Sequence, residues 1–260
     1  MRCNVSENQS GILNPFYSFD SFVVGAGNRS AHAAALAVSG NLGTAYNPLF
    51  IYGEGGLGKS HLLGAIGNKI KAQNKRANVI VSSPSAFMKE TMDGTHSAEL
   101  GKYYAMIRTA EVLLLDDFQE MAGEISIRKE FLHTVELLHE RRTQIVITSD
   151  RMPGDIPKLD ARLLARIDEG FLAVIQPPDR ATRVAILKVK AEQNRISIPD
   201  DVVNHLGSLA TGNVRELEGM LLRLGAYSTL TNVAITMAMA REILDNAGYN
   251  GRSLPCAWLD

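Results

Sequence analysis

The sequence contains few of the residues that mark secreted, zinc-binding or membrane-spanning proteins. Its two cysteines, Cys3 and Cys256, lie near opposite ends of the 260 residues and outside any CxxC or Cys/His cluster. It therefore predicts neither a disulfide framework nor a zinc site. No apolar run approaches the roughly 18 residues of a membrane span, and residues 1–11 lack the apolar core of a signal peptide. We expect a cytoplasmic protein.

An excess of charge of one sign is also missing. The 27 basic and 28 acidic residues leave a formal net charge of −1, so no overall field indicates a nucleic-acid or membrane partner. Binding to such a partner would have to depend on local groups. The chain is long enough to bury a full core. Its length allows one large domain or one domain plus a smaller one, and we favour the second arrangement.

Glycine, in contrast, is concentrated in one short stretch. Residues 51–63 read IYGEGGLGKSHLL and contain the pattern GxxxxGKS. Glycine reaches positive φ without steric cost, so the backbone N–H groups of such a loop can converge on an anion such as phosphate. The apolar run 48–52 predicts a buried strand and residues 60–63 predict the start of a helix, which is the context that the motif requires. An ordinary glycine-rich turn before a lysine is the alternative, and this context disfavours it.

This loop supplies most of the candidate nucleotide-binding residues. Lys59 would reach the outer phosphates, the Ser60 hydroxyl would ligate Mg²⁺, and the helix N-terminus would add partial positive charge. The candidate contacts of the loop are Gly53, Gly55, Gly56, Leu57, Gly58, Lys59, Ser60 and His61.

A second motif places two acids after a predicted strand. Residues 112–117 read VLLLDD, so Asp116 would emerge at the carboxyl end of a central strand, where open α/β sheets place their ligands. Asp116 would hold the Mg²⁺ shell, and Asp117 would orient or deprotonate the attacking water. A strand-ending turn, which aspartate also favours, is the alternative interpretation.

Three further polar residues suggest sensing of the γ-phosphate. Ser149 and Asp150 follow a predicted strand in IVITSD, and Arg215 lies in the first turn of a predicted helix in GNVRELEG. A cation at a helix start is unfavourable against the helix dipole. An anionic ligand is therefore the simplest use for Arg215.

Two arginines, Arg162 and Arg166, lie four residues apart in DARLLAR and share one face of a predicted helix. From that face an arginine could reach the nucleotide of a neighbouring subunit, and an arginine supplied in trans contributes roughly 10³–10⁵ in rate. The alternative is that both arginines are solvated or paired with Asp160 and Asp168, which is the commoner arrangement for any single arginine.

Short β-rich runs alternate with helical patterns up to residue 176, which predicts a parallel sheet covered on both faces. The predicted strands are 48–52, 77–82, 112–115, 144–148 and 171–175. Pro177 and Pro178 fit a domain boundary, because neither can continue a strand ladder or a helix interior. The pattern then becomes helical, and the predicted helices are 180–195, 200–210, 213–229 and 236–246.

The chain resembles the ATPase region of the bacterial replication initiator family DnaA, which belongs to the AAA+ class, over residues 14–246. The segments that carry this resemblance are NPFYSFDSFVVGAGN, NPLFIYGEGGLGKSHLLGAIGN, VLLLDDFQ, QIVITSDRMP, DARLLARI, TRVAILKVKAE and NVRELEG. It implies an α/β fold, in which a five-stranded parallel sheet flanked by helices precedes a small helical lid. The implied divisions are a tail at 1–13, an α/β domain at 14–176, a lid at 177–247 and a tail at 248–260.

The resemblance also implies roles for the candidate residues, with ATP or ADP and Mg²⁺ as the ligands. Lys59 and Ser60 match the Walker A pair, and Asp116 and Asp117 match the Walker B pair. The other matches are Asp150 as the first sensor, Arg166 as the arginine finger with Arg162 beside it, Arg215 as the second sensor, and Phe19, Phe22 and Val23 on the adenine side.

Residues 85–111 correspond to a helical insertion that marks initiators and helicase loaders in this class. In a filament such an insertion can line a path for single-stranded DNA. Lys102 and Arg108 are candidate phosphate contacts there, although a solvated helix face is the commoner explanation for such residues.

Two segments depart from the family's pattern. Glu120 and Glu124 place acid where basic character is usual, which weakens the expectation of single-strand contact. After the finger, RIDEGF replaces a turn that usually contains an aromatic residue, so the subunit contact would differ.

These matches imply a nucleotide-switched ATPase that assembles with ATP, hydrolyses it slowly in the assembled state, and acts in the initiation of DNA replication or its regulation. A regulatory adaptor resembling Hda and a helicase loader resembling DnaC are the alternatives. The implied partners are further copies of the chain and, beyond these, the initiator or the replicative helicase. No helix-turn-helix module follows the lid within the 260 residues. We therefore expect no sequence-specific duplex binding and only weak, ATP-dependent binding of single strands.

Overall fold

The computed structural model describes residues 13–84, 105–122, 125–209 and 213–246. The predicted tails, apart from Leu13, lie outside the described residues. So do residues 85–104 of the predicted insertion, including Lys102, and so does Glu124. Within the described ranges, no helix combines the length and apolar character needed to cross a lipid bilayer.

The chain forms two compact units. The segments of the first unit are those up to Phe22, Ser30–Gly53 and Lys59–Ile175. The segments of the second unit are Val23–Arg29, Glu54–Gly58 and the residues from Gln176 onward.

A parallel sheet of five strands forms the centre of the first unit. The strands are β1 (Leu49–Tyr52), β2 (Val79–Ser82), β3 (Val112–Leu115), β4 (Gln144–Ser149) and β5 (Phe171–Val174). Their order in the sheet is β2-β3-β4-β1-β5, and each neighbouring pair is parallel. Every residue of β3 and β4 is buried, as expected when both faces of a parallel sheet are covered. The predicted five-stranded parallel sheet is confirmed.

The strand ends differ from the predicted ones by one or two residues. The first strand begins at Leu49 rather than at Pro48, since proline has no N–H to donate to a ladder. The fourth strand extends by one residue to Ser149, and there the Ser149 carbonyl accepts a hydrogen bond from Gly53 N–H at 3.2 Å. The third strand has the predicted bounds.

In sequence order, the described α-helices of the first unit lie before or between the strands. They are α1 (Arg29–Gly40), α2 (Lys59–Gln73), α3 (Ile125–Glu140) and α4 (Ala161–Asp168). A 3₁₀ helix, Phe118–Ala122, follows β3. Its first residue, Phe118, is fully buried and meets the rings of Phe50 and Phe131 with centroids 6.2 Å and 5.5 Å apart. This aromatic contact anchors the chain directly after the two acids of VLLLDD.

The described part of the second unit after residue 176 contains four α-helices, as the sequence predicts. They are α5 (Arg180–Gln193), α6 (Asp200–Leu209), α7 (Val214–Thr231) and α8 (Met237–Asn246). Side chains at N-caps fix two of the starts: Asp179 accepts from Thr182 N–H at 2.8 Å, and Asn213 accepts from Glu216 N–H at 2.9 Å. Such caps satisfy backbone donors that have no partner within the helix. Buried aliphatic residues of the four helices, such as Leu187 in α5, pack into one core.

Candidate active site

Three neighbouring strands bring four of the six predicted catalytic residues to one edge of the sheet. Lys59 follows β1 through the glycine-rich loop, Asp116 and Asp117 follow β3, and Asp150 follows β4, which lies between the other two strands. In parallel sheets the carboxyl ends of the strands form the usual ligand-binding edge.

The glycine-rich loop has backbone geometry that other residues adopt with difficulty. Gly56 has φ 75° and Gly58 has φ 96°, in the region that residues with a Cβ rarely enter. A Cβ on Gly53 would collide with the carbonyl oxygen of Ile175. The loop therefore passes very close to other backbone and requires glycine for steric reasons.

Lys59 is the first residue of α2, and its side chain is buried with 6% exposure. Its Nζ donates a hydrogen bond to the carbonyl oxygen of Gly53 at 2.6 Å. This bond spans the loop from its last residue to its first, so the ammonium group is held within the glycine-rich turn. Ser60 is half-buried in the first turn of the same helix.

The acids after β3 share one buried hydroxyl. Thr148 of β4 is fully buried; its Oγ1 donates a short hydrogen bond to Asp116 Oδ1 and accepts one from Asp117 N–H at 3.1 Å. The second oxygen of Asp116 is not used in this contact. Thr148 thus fixes one acid through its carboxylate and the other through its backbone.

Asp117 has an unusual backbone conformation, with φ 54°. Its carboxylate accepts a hydrogen bond from Gln119 Nε2 at 3.1 Å, and Gln119 Oε1 accepts one from Asp150 N–H at 3.0 Å. The side chain of Gln119 therefore connects the residues that follow β3 and β4.

The sequence motifs do not identify Thr148 or Gln119 as site residues. The available signals are weak: Thr148 is a polar residue within an apolar strand, and Gln119 is one of several polar residues after VLLLDD. Their role depends on β3 and β4 being neighbours, which the local sequence does not specify.

The carboxylate of Asp150 is held by the residue next to it. Arg151 donates from Nε to Oδ1 at 2.7 Å and from Nη2 to Oδ2 at 2.9 Å. These bonds lower the pKa of Asp150, and the positive charge of Lys59 contributes in the same direction. Both oxygens of the predicted first sensor are therefore neutralised by an arginine. Ser149, the other predicted sensor residue, accepts from Arg151 N–H at 3.3 Å.

Arg162 and Arg166 lie on the outer face of α4, since the buried residues of this helix are Leu163 and Ile167. Among the described residues neither guanidinium pairs with Asp160 or Asp168, and the exposed position of Arg162 agrees with the solvated form of the alternative. Asp160 caps the helix by accepting from the backbone N–H of Arg162 at 2.8 Å. Arg166 pairs instead with Glu169, at 2.9 Å.

The position of Glu169 explains this pairing. It lies three residues after Arg166, on the same side of the helix, and it belongs to RIDEGF, the segment that departs from the family's pattern. Arg162 is exposed, and among the described residues its guanidinium has no hydrogen-bond or ion-pair partner.

Arg215 lies at the start of α7 in the second unit, where the helix meets the glycine-rich loop. Val214 N–H donates to the Gly56 carbonyl at 2.9 Å, and a Cβ on Gly56 would lie 3.1 Å from atoms of Asn213. The side chain of Arg215 is exposed. In the described ranges it makes no hydrogen bond or ion pair within the chain.

Two histidine rings contact the predicted adenine-side residue Phe22, which is 9% exposed. Phe22 stacks on His32 with centroids 5.8 Å apart and meets His61 edge-on at 5.3 Å. Burial lowers the pKa of His32, with a further contribution from Lys69. Phe19 lies at the edge of the same group, 5.5 Å from His32.

His61 also binds the segment that carries Phe22. Its Nε2 lies 2.9 Å from the Ser18 carbonyl and 3.2 Å from Ser21 Oγ, and its ring stacks on Tyr17 at 4.8 Å. The contacts of His61 therefore hold this segment against the start of α2. Val23, the next predicted residue, packs against the core of the second unit.

Fold and loop together define the class of this protein. A GxxxxGKS loop after β1, acids after β3, the intervening strand β4 and a following helical unit are the architecture of AAA+ P-loop proteins. The profile of the bacterial DnaA ATPase domain matches residues 13–174, more than half of the chain. The chain belongs to this family.

Known relatives agree with this assignment. The chain is 52% identical over 232 residues to the chromosomal replication initiator protein DnaA of Geotalea uraniireducens, a match that covers 89% of this chain and 52% of that protein. The chain therefore spans about half the length of the curated relatives it matches.

Two solved structures have the same fold. Domain III of the replication initiation protein DnaA from Thermotoga maritima superposes with a TM-score of 0.86 at 34% identity, covering 91% of this chain and 98% of that one. A replication initiator DnaA bound to AMPPCP and single-stranded DNA superposes with a TM-score of 0.76 at 33% identity, covering 92% of this chain and 70% of that one.

Proposed function

We propose that this chain is the ATP-binding and ATP-hydrolysing part of a replication initiator, and that ATP controls its assembly. The observation that carries the proposal is the meeting of Lys59, the pair Asp116 and Asp117, and Asp150 at the carboxyl ends of β1, β3 and β4. This edge joins a phosphate-binding loop to acids suited to metal and water.

Binding of ATP would begin at the glycine-rich loop. Backbone N–H groups of residues 53–60 and the N-terminus of α2 would bind the phosphates. Lys59 would exchange its bond to the Gly53 carbonyl for the outer phosphates, which its flexible side chain allows. Phe22 and Val23 would contact the adenine side, and Arg215 would act as the second sensor.

The residues present suit Mg²⁺. Asp116 has one oxygen engaged by the Thr148 hydroxyl and a second available, and Ser60 supplies a hydroxyl in the first turn of α2. Mg²⁺ prefers a few such hard oxygen ligands together with phosphate oxygens. When bound, the ion would neutralise charge on the β- and γ-phosphates.

Hydrolysis would use residues of two subunits. Asp117 would orient or deprotonate the attacking water, and Asp150 would sense the γ-phosphate together with the bound Arg151. Arg166, with Arg162 beside it, would reach the nucleotide of a neighbouring copy from the exposed face of α4. We therefore propose slow hydrolysis that depends on assembly, since a finger in trans is absent from the isolated subunit.

A role in the initiation of DNA replication is supported by the initiator proteins that this chain resembles over 89% of its length. The adaptor and helicase-loader alternatives are not favoured. Binding of single-stranded DNA is supported by the solved initiator that carries both AMPPCP and single-stranded DNA. Of the predicted DNA-facing residues within the described ranges, Arg108 is half-buried and Glu120 is exposed, which agrees with weak binding.

The nucleotide site is tested by two substitutions. Lys59→Ala should abolish binding of a fluorescent ATP analogue, because no other described cation lies within the loop. Asp117→Asn should leave binding nearly unchanged and slow single-turnover hydrolysis by roughly 10²-fold or more, the usual contribution of a general base.

Lys75→Ala is the matched control for the first substitution, since Lys75 is exposed on the loop after α2. Its binding and hydrolysis should equal those of the wild type. Turnover at the wild-type rate in both Lys59→Ala and Asp117→Asn would contradict the proposed site.

A further inference from the structure

The side-chain amide of Gln119 spans the gap between the ends of two strands. Its Nε2 donates to Asp117 Oδ1 at 3.1 Å, and its Oε1 accepts from Asp150 N–H at 3.0 Å. The side chain is half-buried. Holding a long side chain in one conformation has an entropic cost. The two hydrogen bonds of the amide offset this cost and hold the Gln119 side chain in one position.

Only one orientation of this amide satisfies both partners. A carboxylate can only accept and a backbone N–H can only donate. If the amide were turned over, its oxygen would face the Asp117 carboxylate and its NH₂ group would face the Asp150 N–H. Glutamate lacks the donor at neutral pH, and asparagine is shorter by one methylene group. Position 119 therefore requires glutamine for the bridge.

We propose that Gln119 is a positioning residue for hydrolysis, which fixes the carboxylate of Asp117 relative to Asp150. It holds one oxygen of Asp117 and leaves the other to act on the attacking water. The inference rests on the proposed function, because it concerns the same hydrolytic site.

Loss of the amide should affect hydrolysis and spare ATP binding. The terminal torsion of an aspartate is broad, so without Gln119 the carboxylate of Asp117 can rotate away from its productive orientation. Misplacement of a reacting group by about 1 Å can cost roughly 10²-fold in rate. The hydrogen bonds of the Gln119 amide go to Asp117 and to the Asp150 N–H, and neither residue belongs to the glycine-rich loop, so affinity for ATP should not change.

The first test is single-turnover hydrolysis by Gln119→Ala, measured beside ATP affinity at the same protein concentration. We expect a fall in rate of roughly 10- to 100-fold with unchanged affinity. Gln193→Ala is the matched control, since Gln193 is exposed at the end of α5, and it should behave as the wild type.

The second test uses the pH dependence of Gln119→Glu. At about pH 8 the introduced carboxyl is ionised, cannot donate, and repels Asp117. A neighbouring carboxylate raises its pKa, so lowering the pH toward about 5 protonates it and restores a donor. The ratio of the Gln119→Glu rate to the wild-type rate should rise as the pH falls, whereas the ratio for Gln119→Ala should stay constant.

Three outcomes would overturn the inference. Gln119→Ala could hydrolyse ATP at the wild-type rate, it could lose ATP affinity in parallel with its rate, or the Gln119→Glu ratio could show no rise at low pH. If the wild type hydrolyses ATP, each of these outcomes contradicts the role of Gln119 and leaves the proposed function standing. A wild type that binds no ATP or never hydrolyses it would contradict the proposed function as well.

Discussion

Asp116 and Asp117 are fixed by hydrogen bonds with Thr148 and Gln119, whereas the arginines of α4 lie on an outer face with a single surface pair. The acids are proposed to act on groups bound to their own subunit, so their geometry can be completed within one chain. Arg162 and Arg166 are proposed to act on another subunit, and rigid contacts within the chain would hinder that. The acids therefore have their geometry within the single chain, whereas the arginines would reach theirs only on assembly.

The pair between Arg166 and Glu169 illustrates the second case. Their side chains are 39% and 49% exposed, and exposed pairs contribute about 0–1 kcal/mol. Such a contact can orient a guanidinium group and still be exchanged for a nucleotide phosphate at low cost.

Of the substitutions that test this comparison, Thr148→Val should have the largest effect, which is on the free energy of unfolding. The substitution leaves Asp117 N–H without its acceptor and Asp116 without its donor in a buried place, which should lower the free energy of unfolding by about 1–3 kcal/mol. Urea unfolding would measure the change. Thr148→Ser keeps the hydroxyl and should lose less stability. Equal stability of the valine variant and the wild type would show that the Thr148 hydroxyl does not fix the acids.

Arg166→Ala should have an intermediate effect that appears in the assembled state and not in the isolated subunit. We expect ATP-dependent oligomer formation, followed by light scattering, to weaken by about tenfold, or ~1.4 kcal/mol, with unchanged ATP affinity of the monomer. Glu169→Gln releases Arg166 and should strengthen assembly slightly.

Arg180→Ala, an exposed arginine at the start of α5, is the matched control. Loss of assembly in this control as well would mean that overall charge, and not the α4 face, determines the result.

Arg151→Ala should have the smallest effect, and its pH dependence identifies it. Asp150 has a pKa lowered from its ordinary value of 3.8, mainly by the bonds from Arg151. The stabilisation is therefore fully present above that ordinary value and is lost as the pH falls through the lowered pKa. Urea unfolding at a series of pH values should show a small wild-type advantage at about pH 7 that declines as the pH falls below 3.8. An advantage that does not decline with pH would arise from packing and not from the ion pair.

Most of the fold follows from local sequence. The third strand has the predicted bounds because VLLL is an uninterrupted apolar run between polar residues. Helix α7 begins beside the predicted Asn213, whose side chain caps it. Signals of this kind lie within a few residues of the feature they determine.

The bonds within the site are harder to predict. Thr148 and Gln119 reach the acids only because β4 lies beside β3, and strand order is a property of the whole sheet. Arg166 pairs with Glu169 rather than with Asp168 because of the spacing around the last turn of α4. The GxxxxGKS loop could be recognised without such knowledge because its residues are consecutive.

The left-handed backbone of Asp117 limits which residues can replace it. Aspartate and asparagine tolerate φ near 54°, while longer or branched side chains enter this region less readily. Glutamate, often the closest chemical substitute for aspartate, would move its carboxylate outward by one methylene group and strain the turn as well. Steric and chemical demands therefore narrow the tolerated residues at this position independently of each other. Asparagine removes the charge while preserving both the turn and the size of the side chain.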